Sequence, residues 1–148
     1  YTFIARSYAL DVRYTAKIIQ KAIQHPGSAV VDIHQTCPAF NNIHTKTWFE
    51  GLDKEEKEPR LYKLDETDYD GEVTNPENRE EILEKKNGAM KKAYELENGR
   101  MPIGIFFQSQ TKTLEDYLQE KLPALKTKPL VEQQIYNRDV NQLYRKLM

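Results

Sequence analysis

The chain has 148 residues, 22 of them Lys or Arg and 23 Asp or Glu, for a net charge of −1 with the histidines neutral. That length suffices for one domain with a sizeable core, and the intermixed charge leaves no electrostatic footprint for nucleic acid. No apolar run approaches the roughly 18 residues that would indicate a membrane span, and a single cysteine permits neither an internal disulfide nor a complete thiolate metal site.

Taken in chain order, Thr2 to Arg6 reads as a strand and Ser7 to Leu10 as a turn. Asp11 is a suitable N-cap for a helix to about His25, and Val12, Ala16, Ile19, Ala22 and Ile23 form its apolar stripe with Ile18 beside it. Pro26-Gly27 ends that helix. Ala29 to Ile33 is nearly continuous apolar sequence, the pattern of a parallel strand covered on both faces. Strand, helix and strand in so short a stretch predict a βαβ unit. The second strand runs into Gln35-Thr36-Cys37-Pro38, which places the one thiol at a strand's carboxyl end, where open α/β sheets gather their ligands.

Beyond Cys37, Asn42 to Phe49 predicts a short helix ending near Gly51, and Asp53 to Arg60 a charged, solvated stretch. Leu61 to Leu64 predicts a short strand, followed by an acidic loop to Gly71. Asn75 with Pro76 behind it predicts a helix start. That helix runs to about Glu97 with Ile82, Ala89, Met90, Ala93 and Leu96 inward, and Gly99 stops it. Ile103 to Phe107 is a further strand. Thr113-Leu114-Glu115-Asp116 has the form of a capping box opening a helix to about Leu122. Pro123 to Pro129 reads as a linker, and Leu130 to Leu147 as a terminal amphipathic helix bearing Val131, Ile135, Leu143 and Leu147.

Two clusters invite a chemical reading. His34, Cys37 and His44 raise zinc binding or Cys–His nucleophilic catalysis. Their spacing is no familiar zinc pattern, however, and neither a base aimed at the sulfur nor an oxyanion donor is legible. Asp65, Glu66, Asp68, Asp70 and Glu72 are dense enough to raise calcium, but their order does not match a calcium loop, and a solvated surface loop is the better reading. The glycines are scattered, so no phosphate-binding loop is present. On residue chemistry alone Cys37 is a small buried filler.

The arrangement of motifs goes further. Thr2-Phe3-Ile4-Ala5-Arg6, Cys37-Pro38-Ala39-Phe40-Asn41, the Trp48 segment, Arg60-Leu61-Tyr62-Lys63-Leu64-Asp65, Ala93-Tyr94-Glu95 and Pro102-Ile103-Gly104-Ile105-Phe106-Phe107 occur in that order. In this the chain resembles the carboxyl-terminal half of the beta subunit of 2-oxoacid:ferredoxin oxidoreductases, the pyruvate:ferredoxin oxidoreductase family. The resemblance implies an α/β fold: residues 1–41 as the terminal βαβ portion of a thiamine-diphosphate-binding, Rossmann-like domain, residues 42–122 as a mixed α/β carboxyl-terminal extension, and residues 123–148 as a linker and terminal helix. It also implies a chain cut from a longer protein.

By the same resemblance, Cys37 is one of the four thiolate ligands of a [4Fe–4S] cluster, with the other three in the preceding half of the subunit. Thr36, Asn41 and Asn42 are candidates to surround that sulfur, and Thr36 stands where the family often has proline. The family's thiamine diphosphate and Mg2+ residues belong before Tyr1, so no catalytic or thiamine-site residue is carried onto this chain, which by itself is expected to be inactive and to bind no cofactor. The implied reaction is oxidative decarboxylation of a 2-oxoacid to an acyl-CoA, with electrons leaving through the cluster to ferredoxin. The implied partners are the alpha subunit, ferredoxin, CoA and the 2-oxoacid, with neither nucleic acid nor membrane. The lone thiol and the lack of a signal-like segment point to the cytoplasm. Two other readings are a non-catalytic α/β interaction module, docking through the Trp48–Tyr62 region and the terminal helix, and a small Cys–His enzyme.

Overall fold

A computed structural model describes residues 1–126 and residue 145. The terminal helix expected over residues 130–147 lies outside the described residues. The chain divides into two compact units, Tyr1–Thr111 and Lys112–Met148.

The first unit is built on a four-stranded mixed sheet. Its strands are β1 (Phe3–Tyr8), β2 (Ala29–His34), β3 (Leu61–Lys63) and β4 (Met101–Gln108), in the order β2-β1-β4-β3. β1 and β2 run parallel, joined by helix α1 (Val12–Gln24), so the expected βαβ unit is present. β4 is antiparallel to β1 and parallel to β3. Segments before and after Cys37 therefore supply strands to one sheet. The fold is α/β, as expected. Among the described residues, no helix is long and apolar enough to cross a membrane.

β1 continues past Arg6 through two residues expected to turn. Ser7 and Tyr8 pair with Ile33 and His34, and both are buried. The Ser7 hydroxyl shares a 2.6 Å hydrogen bond with that of Thr15, which donates to the Tyr8 carbonyl at 2.9 Å. The buried hydroxyl of Ser7 is thus satisfied, and the turn falls at Ala9 and Leu10 instead.

α1 starts where its cap predicts. Asp11 Oδ1 accepts from the Tyr14 N–H at 3.1 Å. The face it buries differs from expectation. Tyr14 and Ile18 are buried against the core formed by Phe3, Ala5, Met101 and Ile103, with Ala22 packed partly against them. Val12, Ala16, Ile19 and Ile23 are exposed. At about 100° per residue the two sets lie roughly 135° apart around the helix. Tyr14 decides the matter: its ring fills the core while its hydroxyl reaches Asp65 Oδ1 at 2.5 Å. Beyond the helix, His25 is buried, with Nε2 2.8 Å from the Thr2 hydroxyl and its ring tilted against Phe3.

β2 also departs from expectation. It is the edge of the described sheet, and none of its residues is fully buried. Its apolar sequence predicts cover on both faces, yet Asp32 and Ile33 are exposed, and within these residues only one of its edges is paired.

The charged stretch after α2 (Lys46–Phe49) is not wholly solvated. Arg60 is buried, and its peptide joins two elements: its N–H donates to the Phe49 carbonyl at 3.1 Å and its carbonyl accepts from Met101 at 2.7 Å. Leu64 leaves the strand expected of it for a 3-10 turn, Leu64–Glu66, and fills the core. In the acidic loop, Asp65 serves Tyr14 and Asp70 accepts from Lys85 at 2.7 Å.

Helix α3 (Arg79–Tyr94) begins three residues later than expected because two asparagines divide the work. Asn75 closes a turn, accepting from Glu77 at its side chain and from Asn78 at its carbonyl. Asn78 is the cap, accepting from Glu80 and Glu81. Ile82, Ala89 and Ala93 are half-buried, whereas Met90 and Leu96 are exposed, contrary to the expected inward set. A groove of about 520 Å3 remains between α3 and the sheet, lined in part by Ile4, Val30, Ala93 and Phe107. The second unit contains helix α4 (Leu114–Lys121), whose capping box forms as expected: Thr113 and Asp116 exchange side-chain and backbone hydrogen bonds. Pro123–Lys126, expected as linker, is a 3-10 turn.

The two faces of the helices predict contrasting costs. Ile18→Ala should lower the unfolding free energy by about 2–4 kcal/mol, since it empties a packed site. Leu83→Ala, at an exposed position on α3, should change it by less than about 0.5 kcal/mol. Urea unfolding of both variants measures the difference.

Candidate metal-ligand loop

Cys37 follows β2 by three residues, and its thiol is free and half-buried. The residues after it form a β-turn. The Cys37 carbonyl accepts from Phe40 N–H at 3.1 Å and from Asn41 N–H at 2.8 Å, and Cys37 and Asn41 form an isolated antiparallel bridge. Pro38 occupies the turn position that its fixed φ suits best. The Cys-Pro-Ala-Phe-Asn run is thus a reversal that holds the thiol at its base, with Phe40 94% exposed at its tip.

Asn41 organises the next turn. Its Oδ1 accepts from the N–H groups of Ile43 (3.1 Å) and His44 (3.0 Å). Its amide nitrogen lies 2.8 Å from His44 Nδ1 and must donate, so His44 accepts at Nδ1. The His44 ring meets Trp48 edge-on at 4.5 Å, and the Arg60 guanidinium lies over Trp48 at 4.5 Å. Arg60 donates to both Asp53 carboxylate oxygens, at 2.5 and 2.8 Å, and to the Trp48 carbonyl. Those bonds hold the Asp53 carboxyl below its usual range and raise Arg60. An unbroken set of contacts therefore runs from Asn41 through His44, Trp48 and Arg60 to β4.

The other histidine expected near the thiol lies beside Asp32, with no hydrogen-bond partner at Nε2. His34 Nε2 lies 3.3 Å from Asp32, which accepts from Arg6 Nε at 3.0 Å. Burial pushes His34 below its ordinary value; Asp32 opposes the shift and Arg6 adds to it. Among the described residues, no group of three or more His, Cys, Asp or Glu side chains stands close enough to hold a metal ion. His34, Cys37 and His44 do not assemble into a zinc centre, and the acidic loop does not form a calcium site. Of the residues expected around the sulfur, Thr36 and Asn41 are half-buried and Asn42 is exposed. Asn41 spends its side chain on the loop itself.

Sequence reasoning missed two features here. The Arg6–Asp32 pair follows from the parallel register, in which these residues are directly opposite. The Arg60 anchor was hidden among its charged neighbours.

Residues 37–122 match a family model for the C-terminal region of the pyruvate ferredoxin oxidoreductase beta subunit. The chain belongs to this family. It is 40% identical over 131 residues to a 2-oxoacid:ferredoxin oxidoreductase subunit beta of Saccharolobus solfataricus, covering 87% of this chain and 39% of that protein. It is 39% identical over 126 residues to the 2-oxoacid:ferredoxin oxidoreductase 1, subunit beta, of Aeropyrum pernix, covering 84% of this chain and 36% of that one. The chain thus spans about two fifths of the length of these curated relatives. In fold it is similar to a 2-oxoglutarate:ferredoxin oxidoreductase from Magnetococcus marinus solved with 2-oxoglutarate, coenzyme A and succinyl-CoA. The TM-score is 0.67 at 22% identity, over 99% of this chain and 40% of that one. The family match begins at Cys37 itself, so the turn described above is where the matched region opens.

Two outcomes follow. Asn41→Ala removes two acceptor bonds and should speed amide exchange at Ile43 and His44 by about 2- to 10-fold, the equivalent of one net hydrogen bond; hydrogen-exchange mass spectrometry measures it. Burial also pushes His25 down, so His25 and His34 both titrate below 6.5 in the fold. As pH falls, the unfolded chain takes up protons first. Their contribution to stability is full above about pH 6.5 and is lost below it. The urea midpoint should be lower at about pH 5 than at pH 7, and His25→Gln should flatten that slope.

Proposed function

We propose that this chain is the carboxyl-terminal part of the beta subunit of a 2-oxoacid:ferredoxin oxidoreductase and that Cys37 is one of four thiolate ligands of its [4Fe–4S] cluster. The observation that carries the reading is the Cys37–Asn41 turn at the start of the family match: a free, half-buried thiol held at a strand end by its own backbone bonds. A soft thiolate suits iron–sulfur ligation. His34 lies beside Asp32 and His44 accepts from Asn41 at Nδ1, and these two imidazoles and the thiol do not form a three-ligand group among the described residues. The residues present fit one corner of such a cluster, and three further thiolates belong to the preceding part of the intact subunit.

When bound, the cluster relays single electrons between the oxidised 2-oxoacid and ferredoxin. This chain's part is to position one ligand. Asn41 fixes the exit of the turn and Pro38 its entry, while Thr36 and Asn42 flank it and set the polarity around the sulfur. The intact enzyme converts a 2-oxoacid and CoA to an acyl-CoA and CO2. Thiamine diphosphate and Mg2+ are held by the rest of the beta subunit, alone or with the alpha subunit. The chain by itself binds none of these and is inactive. The setting is cytoplasmic, where an unpaired thiol stays reduced.

The test is Cys37→Ser in the intact enzyme with its alpha subunit. Iron and acid-labile sulfide per protein should fall by the content of one cluster. The cluster's visible absorption and electron paramagnetic resonance signal should fall with them, along with 2-oxoacid-dependent viologen reduction. Unchanged iron content with an unchanged spectrum would exclude Cys37 as a ligand.

A further inference from the structure

The turn that carries Cys37 has few bonds to the rest of the fold. Among the described residues, the hydrogen bonds of residues 36–40 are those the Cys37 carbonyl accepts from Phe40 and Asn41. The turn is tied to the sheet through the chain at β2. Its other end is Asn41, and the side chain that meets Asn41 is His44. The Asn41 amide nitrogen donates to His44 Nδ1 at 2.8 Å, while its oxygen accepts from the Ile43 and His44 N–H groups. Both roles of the amide are thereby assigned, and His44 serves as the acceptor for the turn.

The same imidazole meets a packed part of the unit. Its ring lies edge-on to Trp48, with centroids 4.5 Å apart. Trp48 is held in turn. Its N–H donates to the Thr45 hydroxyl that caps α2, its carbonyl accepts from Arg60, and the Arg60 guanidinium covers its ring. His44 thus touches the turn through a ring nitrogen and the buried Arg60 wall through Trp48. It is itself exposed, so the core does not require it. An exposed side chain with both of these contacts is placed to orient the turn rather than to hold the fold together.

We infer that His44 is a positioning residue for the Cys37 thiolate: by accepting from Asn41 at Nδ1 while resting on Trp48, it transmits the fixed place of Arg60 to the turn that presents the sulfur. The inference rests on the reading of Cys37 as a cluster ligand and adds a residue that acts through Asn41. Partners of this kind outside the ligand shell orient the ligand and tune the metal group it holds.

The test uses the intact enzyme with its alpha subunit and follows the cluster signal that Cys37→Ser removes. His44→Phe keeps a ring beside Trp48 and deletes the acceptor. It should speed iron release to a chelator by about tenfold or more and shift the cluster's midpoint potential. It should also speed amide exchange at Phe40 and Asn41, a readout that needs no cluster. The urea midpoint of the beta subunit should stay in place, because the site is exposed. His44→Asn, whose amide oxygen can accept where Nδ1 does, should restore slow release. In an Asn41→Ala background His44→Phe should add nothing further, since the bond it deletes is already gone. A Cys37→Ser enzyme with unchanged iron and spectrum would overturn the ligand reading itself. Where Cys37→Ser does lose the cluster, unchanged iron release in His44→Phe, a fallen urea midpoint, no rescue by His44→Asn, or a full effect on top of Asn41→Ala would each overturn the positioning role alone.

Discussion

The close packing of β4 is the constraint on which the rest of the Tyr1–Thr111 unit depends. This strand pairs with β1 on one side and β3 on the other, and most of its residues are buried. It brings Gln108 opposite Phe3 and so closes the chain on itself. Two glycines make room for it. Gly104, at φ +131, leaves space that a Cβ would contest with the Tyr14 hydroxyl and Leu64. Gly71 passes so close to the Phe106 carbonyl that any Cβ there would collide with backbone. Tyr14, Leu64 and the Asp65 acceptor all take their places from this approach.

The Cys37 loop draws its rigidity from the same strand, through Arg60. As an ion pair, Arg60–Asp53 contributes little, because Asp53 faces solvent. Its value is geometric. A bidentate pair fixes the guanidinium plane, that plane rests on Trp48, and the Arg60 backbone joins Phe49 to Met101. Trp48 then meets His44, which is held by Asn41. A side chain held at a fixed point is better supported by such a chain of contacts than by a bare loop.

The remaining surface is unusually apolar. Among the described residues, α1 shows aliphatic side chains on its outer face, β2 has an unpaired edge, and α3 lies over a groove. Soluble monomers seldom leave so many apolar features uncovered. The chain spans about two fifths of the length of its curated relatives.

The local elements were legible because their causes are local. Asp11 and Thr113 cap helices, Gly99 stops one at φ +71, and Pro38 sets a turn. Each acts within a few residues and needs no partner. Even the thiol's position at the end of β2 follows from the apolar run before it. Tertiary structure alone decided which α1 stripe faces the sheet, because Tyr14 can satisfy its hydroxyl only once Asp65, 51 residues away, is in reach. It decided that Arg60 is buried, because Trp48 and Asp53 must first converge. It also left β2 at an edge despite its buried-strand sequence. Caps and turns are short-range hydrogen bonds written into neighbouring residues, whereas burial depends on surfaces that exist only when distant segments meet.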